Sequence, residues 1–312
     1  MKNDARAEYL FYLGNRFHRL DERARALQCY DRSVELVPEA AVVWLNRGLA
    51  LLELGRKDDA LESCNKALQI NPMYPEAWSN RGVALSKLGR VQDALDSYNK
   101  ALEIDPKLSE AYFNRGISLG DLGRHKDALD SYDKALETNS RNAQALSNRG
   151  LILAKLGRNE DALDSYDRAL QIDSHLCQIW LNRALILVQL GREEEALSSY
   201  DKALEIDIKL PEAWADRGNI LSKLDRKQDA LNSYDRALEI NAKLPEVWFN
   251  RANVLAAVGR LEDALSSYDK SLEMNPGFAQ AWGNRGNVLL RLGRKDEALS
   301  SYEQASKIST KS

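Results

Sequence analysis

A recurring asparagine is the side chain of this sequence that is best suited to bind another molecule. It returns every 34 residues, with one acidic exception in the row: Asn46, Asn80, Asn114, Asn148, Asn182, Asp216, Asn250 and Asn284. Asparagine is a poor residue for the interior of a helix, so its recurrence calls for a cause. To hold the backbone of an extended peptide, a side chain must offer both a hydrogen-bond donor and an acceptor, and a carboxamide offers both. We therefore predict a peptide-binding row of amides; the alternative is that each amide bonds the next repeat and fixes its angle.

An arginine follows each member of this row: Arg47, Arg81, Arg115, Arg149, Arg183, Arg217, Arg251 and Arg285. In one interpretation the aliphatic stem packs and the guanidinium reaches a carboxylate of the preceding helix, such as Asp133 for Arg149. In the other, the arginines form a basic stripe that follows nucleic-acid phosphates. The formal net charge is −3, from 44 basic and 47 acidic residues, which favours the structural interpretation.

No set of residues in the sequence predicts catalysis or metal binding. Histidine and cysteine occur three times each, at His18, His125, His175, Cys29, Cys64 and Cys177. They fall at different places in the repeat, so the period creates no ligand cluster, and no G-x-x-x-x-G-K-[ST] phosphate loop is present. We expect no enzymatic activity, no cofactor and no metal. The sequence shows neither a secretory signal nor a run as long as a membrane span, so we expect no membrane partner and a cytoplasmic location.

A fixed 34-residue period organises the elements that must position these side chains. Such a period in helix-forming residues is typical of a helical solenoid. After a leader at residues 1–6, we predict a single solenoid domain over residues 7–312 with nine repeats: 7–40, 41–74, 75–108, 109–142, 143–176, 177–210, 211–244, 245–278 and 279–312. In the third repeat, helix A is predicted from Pro75 to Leu88 and helix B from Val91 to Ile104, with Gly89 as a left-handed cap between them.

The most regular residues of the period resemble a known repeat family. In the third repeat they are Trp78, Gly82, Ala94, Tyr98, Ala101 and Pro106. Their order and spacing resemble the tetratricopeptide repeat. The resemblance implies an all-α fold, a right-handed α-solenoid superhelix of nine helix-turn-helix repeats whose A helices line a concave groove. It places the asparagines on that groove, where they resemble the asparagine ladder of the O-GlcNAc transferase superhelix. Similar arrays occur in bacteria, especially in cyanobacteria.

The resemblance also assigns the second, fifth, ninth, twelfth and thirteenth residues of each repeat to the groove. Apolar side chains at these positions include Leu45, Leu49, Phe113, Ile117, Leu181, Leu185 and Phe249. Lysines hold the thirteenth position in alternate repeats, at Lys87, Lys155 and Lys223. Apolar pockets beside a row of amides suit a peptide segment. The lysines either receive acidic side chains of that peptide or belong to a solvated surface.

Together these patterns predict a non-catalytic scaffold that binds a peptide segment of a partner protein in its groove. A second hypothesis is self-association into a homo-oligomer through the terminal repeats, because the first repeat is rich in aromatic residues and the last helix is only partly polar. Nucleic-acid binding is the third hypothesis, and the charge balance disfavours it.

Overall fold

The computed structural model describes residues 2–310, and every helix or strand found in that range is an α-helix. The odd-numbered helices are the A helices of successive repeats: α1 (Lys2–Arg19), α3 (Ala41–Glu53), α5 (Pro75–Lys87), α7 (Ser109–Asp121), α9 (Ala143–Lys155), α11 (Cys177–Gln189), α13 (Pro211–Lys223), α15 (Pro245–Ala257) and α17 (Ala279–Arg291). The even-numbered helices are the B helices: α2 (Arg23–Leu36), α4 (Lys57–Ile70), α6 (Val91–Ile104), α8 (His125–Thr138), α10 (Asn159–Ile172), α12 (Glu193–Ile206), α14 (Lys227–Ile240), α16 (Leu261–Met274) and α18 (Lys295–Ser309). The predicted all-α array of nine helix pairs is confirmed over the described residues.

Each A helix ends in a turn that one residue in the left-handed conformation makes possible. Gly89 follows α5 with a φ of 78°. The amide of Arg90 then bonds back to the carbonyl of Leu85 at 2.9 Å, which satisfies an acceptor at the helix end. Asp21 and Asp225 hold the same place in their repeats, with φ values of 61° and 60°. Aspartate tolerates this conformation better than most residues do, so the turn is preserved without glycine.

In most repeats the core forms where a tyrosine of the B helix packs against a small residue of the A helix, and in the second repeat Cys64 takes the place of the tyrosine. Tyr98 is 1% exposed. A Cβ atom added to Gly82 would lie 2.4 Å from the Tyr98 ring, and one added to Gly116 would lie 2.7 Å from the Tyr132 ring. This position therefore accommodates only small residues, because the tyrosine ring occupies the space that a larger side chain would need.

Packing divides the chain into two compact units, unit 1 (Met1–Ile172) and unit 2 (Asp173–Ser312). Within each unit an A helix packs against its own B helix, and that B helix packs against the next A helix. Several consecutive A helices also touch, as α5 and α7 do in unit 1 and α15 and α17 do in unit 2. The fifth, sixth, ninth, twelfth and thirteenth residues of each repeat belong to its A helix. We call the surface that they form the A-helix face.

The first and last helices differ from those in the middle of the array. Residues 2–6, which we predicted as a leader, belong to α1. Leu299 of α18 is 60% exposed, whereas its counterpart Leu95 in the third repeat is 3% exposed. The difference arises because no other described helix packs on that side of α18. An apolar side chain is therefore left on the surface of the last repeat.

Candidate functional site

The row of amides lies on the A-helix face and is partly accessible. Asn80 is 8% exposed, and the other seven members of the row are half-buried. The amides are therefore neither fully hydrated nor enclosed between helices. A half-buried amide has lost part of its hydration, so its protein partners decide whether it is structural or available to a ligand.

In unit 1 the amides make few hydrogen bonds within the protein. Asn46 donates to the backbone carbonyl one turn earlier in its own helix at 2.9 Å. Asn148 accepts a long bond of 3.4 Å from Gln144. Asn114 has no hydrogen-bond partner among residues 2–310. This part of the face therefore retains donors and acceptors that no internal contact uses.

In unit 2 a second row of asparagines holds the amides of the last two repeats. Asn250 donates to the Oδ1 atom of Asn219 at 2.9 Å. Asn284 donates in the same way to Asn253 at 2.9 Å. The hydroxyl of Tyr234 donates to Asn219 Oδ1 as well, at 2.9 Å. Because each amide pair joins two repeats, these contacts follow the alternative interpretation, in which the amide fixes the neighbouring repeat.

The second row consists of Asn219, Asn253 and Asn287, which were not predicted as site residues from the sequence. These residues hold the ninth position of the last three repeats, where repeats 2 to 6 carry aliphatic residues. The available signal was the short pattern Asn-Arg-small-Asn, written NRAN at 250–253 and NRGN at 284–287. Comparison of the ninth position alone along the array would have revealed it.

Asp216 replaces asparagine in the seventh repeat and has a different environment from the amides. Its Oδ2 atom accepts a hydrogen bond from the hydroxyl of Tyr200 at 3.2 Å. Partial burial raises the pKa of the Asp216 carboxyl, the Tyr200 bond opposes that shift, and the nearby charge of Glu212 adds to it. In the preceding repeat the amide oxygen of Asn182 accepts a bond of 3.2 Å from Gln178.

The predicted apolar positions are shared between the core and the surface. Six of them are half-buried: Leu45, Leu49, Phe113, Ile117, Leu181 and Phe249. Phe113 and Ile117 pack partly against the core cluster that contains Tyr132. Leu185 differs from the others because it is 48% exposed. The A-helix face thus presents the edges of apolar side chains beside the amides.

The three predicted lysines do not have the same environment. Lys87 and Lys155 are exposed and make no ion pair with any described residue. Lys223 pairs with Glu193 of the preceding repeat. Two of the three ammonium groups are therefore unengaged within the structure.

The arginine row joins the B helices of neighbouring repeats. Arg149 donates through Nε to Asp133 at 2.6 Å and through Nη1 to the Ser165 hydroxyl at 2.7 Å. The Ser165 hydroxyl in turn donates to the carbonyl of Asp161 at 2.9 Å. The same pair of bonds recurs at Arg47, Arg217, Arg251 and Arg285. The predicted contact with Asp133 is confirmed, and these guanidinium groups are engaged in structural contacts.

Other chemistry on the described chain is limited. The three cysteines are free thiols. No group of three or more His, Cys, Asp or Glu side chains within residues 2–310 is arranged to hold a metal ion. None of the helices described above combines the length and apolar character needed to cross a membrane.

Family models recognise the same repeats that the helix pairs define. A model described as Tetratricopeptide repeat matches residues 113–175, 215–276 and 249–311, and another with that description matches residues 41–74 and 75–108. A model described as TPR repeat matches residues 184–225. The chain is a tetratricopeptide repeat protein. The residues quoted above for the resemblance, from Trp78 to Pro106, lie within one of the matched segments.

Solved structures of other proteins share this fold, and two of them are described as tetratricopeptide repeat proteins. YrrB, described as a TPR protein with an unusual peptide-binding site, is 26% identical, with a TM-score of 0.54 over 58% of this chain and 94% of that one. A tetratricopeptide repeat protein from Parabacteroides merdae is 18% identical, with a TM-score of 0.54 over 80% of this chain and 99% of that one. PilF from Pseudomonas aeruginosa is 23% identical, with a TM-score of 0.53 over 65% of this chain and 92% of that one. No curated protein matches the chain by sequence.

Proposed function

We propose that this tetratricopeptide repeat protein is a non-catalytic scaffold that binds a peptide segment of a partner protein along its A-helix face. The observation that carries the proposal is the Asn114 amide, which is half-buried on that face and has no hydrogen-bond partner among residues 2–310. A half-buried polar group with unused donors and acceptors is stabilised when a ligand supplies the missing bonds. A peptide backbone offers both kinds of group at every residue except proline.

The neighbouring side chains indicate the chemistry of the guest. Leu151 holds the ninth position of the fifth repeat and is 42% exposed. Covering such surface with an apolar side chain of the guest is favourable by about 25 cal/mol for each Å² buried. Lys87 and Lys155 are exposed and unpaired in the described part of the chain, so they can bind carboxylates. We expect unit 1 to favour extended peptides that combine apolar and acidic side chains.

The test removes two amides from unit 1 of the full chain. Random peptides displayed on phage are selected on the wild-type protein, and their affinities are measured by fluorescence anisotropy. Each lost hydrogen bond contributes about 0.5–1.5 kcal/mol. We therefore expect the double variant Asn114→Ala, Asn148→Ala to bind the selected peptides roughly 10-fold to 100-fold more weakly.

A matched control separates loss of binding from loss of structure. Gln69→Ala with Gln171→Ala also removes two amides from unit 1, but both side chains are exposed and lie on B helices. This control should bind the peptides with wild-type affinity, and both variants should keep the wild-type circular dichroism spectrum. If the double asparagine variant is correctly folded and binds the peptides as tightly as the wild type, the amides have no part in the mechanism.

The last helix supports a second candidate function, self-association. Leu299 is 60% exposed, whereas Leu265, its counterpart one repeat earlier, is 6% exposed. An apolar side chain of this kind is stabilised when a second copy covers it. Light scattering over a range of concentrations tests the idea. A dimer that Leu299→Glu dissociates supports self-association, and a monomer at every concentration rules it out.

A further inference from the structure

We propose that Asp216, with the exposed Leu185 and Val188 of the preceding A helix, forms a subsite for a lysine or arginine side chain of the bound peptide. The inference rests on the proposed function and adds to it the type of peptide side chain that unit 2 binds. It starts from the one carboxylate in a row whose other seven members are neutral amides.

The hydrogen bonds of the last three repeats show what Asp216 lacks. Asn250 finds its partner at the ninth position of the preceding repeat, which is Asn219. For Asp216 the corresponding ninth position is Leu185, which has no hydrogen-bonding group in its side chain. Among residues 2–310 the Asp216 carboxylate therefore keeps a single side-chain bond, from the hydroxyl of Tyr200 at 3.2 Å. A carboxylate can accept several hydrogen bonds, so most of its capacity is unused.

No cation of the described chain neutralises Asp216. The next residue, Arg217, donates instead to Asp201 at 2.6 Å. Lys223, two turns further along α13, pairs with a glutamate of α12. Glu212, one turn before Asp216, is exposed, makes no ion pair within residues 2–310, and adds to the negative potential. A half-buried carboxylate without a counter-ion is unfavourable, and a cation supplied by a ligand removes that penalty.

The apolar part of the subsite suits the stem of a long basic side chain. Leu185 is 48% exposed and Val188 is 40% exposed on α11, the A helix that precedes Asp216. Lysine and arginine bury their methylene groups against apolar surface while the charged end reaches a polar partner. A carboxylate on one A helix and an apolar strip on the A helix before it therefore favour these two side chains over short or neutral ones.

The experiment uses the full chain and a random dodecapeptide library displayed on phage. Selections are run in parallel on the wild type, on Asp216→Asn and on Glu194→Gln. Asparagine is the residue found in the rest of the row, so Asp216→Asn is compatible with the fold. Glu194 is an exposed residue of α12 without an ion pair among the described residues, and its replacement removes the same charge from unit 2 away from the A-helix face.

The expected result is that peptides selected on the wild type and on Glu194→Gln carry a lysine or arginine at a fixed place, and that peptides selected on Asp216→Asn do not. A synthetic peptide from the wild-type selection should bind Asp216→Asn about tenfold more weakly. Replacing its basic residue by methionine should weaken binding to the wild type but hardly change binding to the variant.

Two other outcomes overturn the subsite, and they can be told apart. If the wild type selects peptides but the basic residue is absent, or is equally frequent on Asp216→Asn, the subsite is wrong and the proposed function stands. If no peptide is enriched on the wild type, the proposed function fails and the subsite fails with it.

Discussion

Replacing Arg149 by leucine tests whether the arginine row holds neighbouring repeats together or exists to bind an external ligand. Leucine is the residue that the family usually has at this position. Arg149 contacts Asp133 at 2.6 Å and Ser165 at 2.7 Å, and these partners lie on the B helices of two consecutive repeats. The substitution therefore breaks two contacts that join α8, α9 and α10 without changing the A-helix face.

The size of the effect follows from the exposure of each partner. A hydrogen bond to a charged group contributes about 1.5–3 kcal/mol. The Asp133 side chain is 45% exposed and the Arg149 side chain 18% exposed. Screening by solvent reduces the Asp133 contact to about 1 kcal/mol or less. Loss of the bond to the buried Ser165 hydroxyl adds about 1 kcal/mol, and the packed leucine returns roughly 0.5–1 kcal/mol. We expect Arg149→Leu to destabilise the array by about 1 kcal/mol.

Urea unfolding followed by circular dichroism measures this loss. With a slope of about 3 kcal/mol per molar urea, the midpoint should fall by roughly 0.3 M. Hydrogen exchange should show faster opening of α8 and α9, because each repeat of a solenoid depends on its neighbours. Arg158→Ala is the control: Arg158 pairs with Asp161 three residues later, both side chains are 52% exposed, and the loss should be at most about 0.5 kcal/mol.

Arg149→Lys provides the discriminating comparison. Lysine keeps the positive charge but lacks the planar group that reaches two partners, so it should lose nearly as much stability as leucine does. The structural account is refuted if Arg149→Leu is neutral or stabilising in urea. A basic stripe for nucleic acid predicts instead that lysine preserves a salt-dependent binding activity, which a gel shift at low salt would reveal.

Three further predictions concern other parts of the array. Gly82→Ala should change the free energy of unfolding by no more than about 1 kcal/mol, because alanine already stands at this position in two repeats and a gain in helix propensity offsets the crowding of Tyr98. Gly82→Val should lower the free energy of unfolding in urea by about 3 kcal/mol or more. Burial raises the pKa of the Cys64 thiol to about 12, so iodoacetamide at about pH 8 should alkylate Cys64 only after unfolding, and rapid labelling of the folded chain, measured by mass spectrometry, would contradict this. Because the pKa of the Asp216 carboxyl is raised in the folded chain, the stability that its protonated form contributes is fully present at low pH. This stability is lost as the pH rises through the folded-state pKa. Asp216→Asn should therefore raise the melting temperature more at about pH 7 than at about pH 3.5, and an equal shift at both pH values would count against that assignment.

The period of the sequence was sufficient to predict the elements and their local packing. Helix B of the third repeat runs from Val91 to Ile104 as predicted, and helix A begins at Pro75. The glycine cap and the bond from Arg149 to Asp133 also follow from spacing. All of these features depend on residues a fixed distance apart within one or two repeats, so one alignment of the period determines them.

Whether a given amide of the row has a hydrogen-bond partner could not be predicted in the same way. Asn114 and Asn250 have the same place in the repeat, yet Asn114 has no partner among residues 2–310 and Asn250 bonds Asn219. The difference comes from the ninth residue of the preceding repeat, which is Val83 in one case and an asparagine in the other. Whether the sixth and ninth positions of neighbouring repeats meet depends on how consecutive A helices pack, and the period alone does not give that arrangement. The division into two units was also not predicted.

The central claim is that the A-helix face of unit 1 binds the backbone of a guest peptide through the amide of Asn114. Its most direct test is to follow the side-chain amide signals of ¹⁵N-asparagine-labelled protein by NMR while a phage-selected peptide is added. We expect the signals of Asn114 and Asn148 to shift, while that of Asn99, a B-helix residue whose oxygen accepts a bond from Arg115, stays in place. Saturating binding of the peptide with no change in the Asn114 signal would contradict the account.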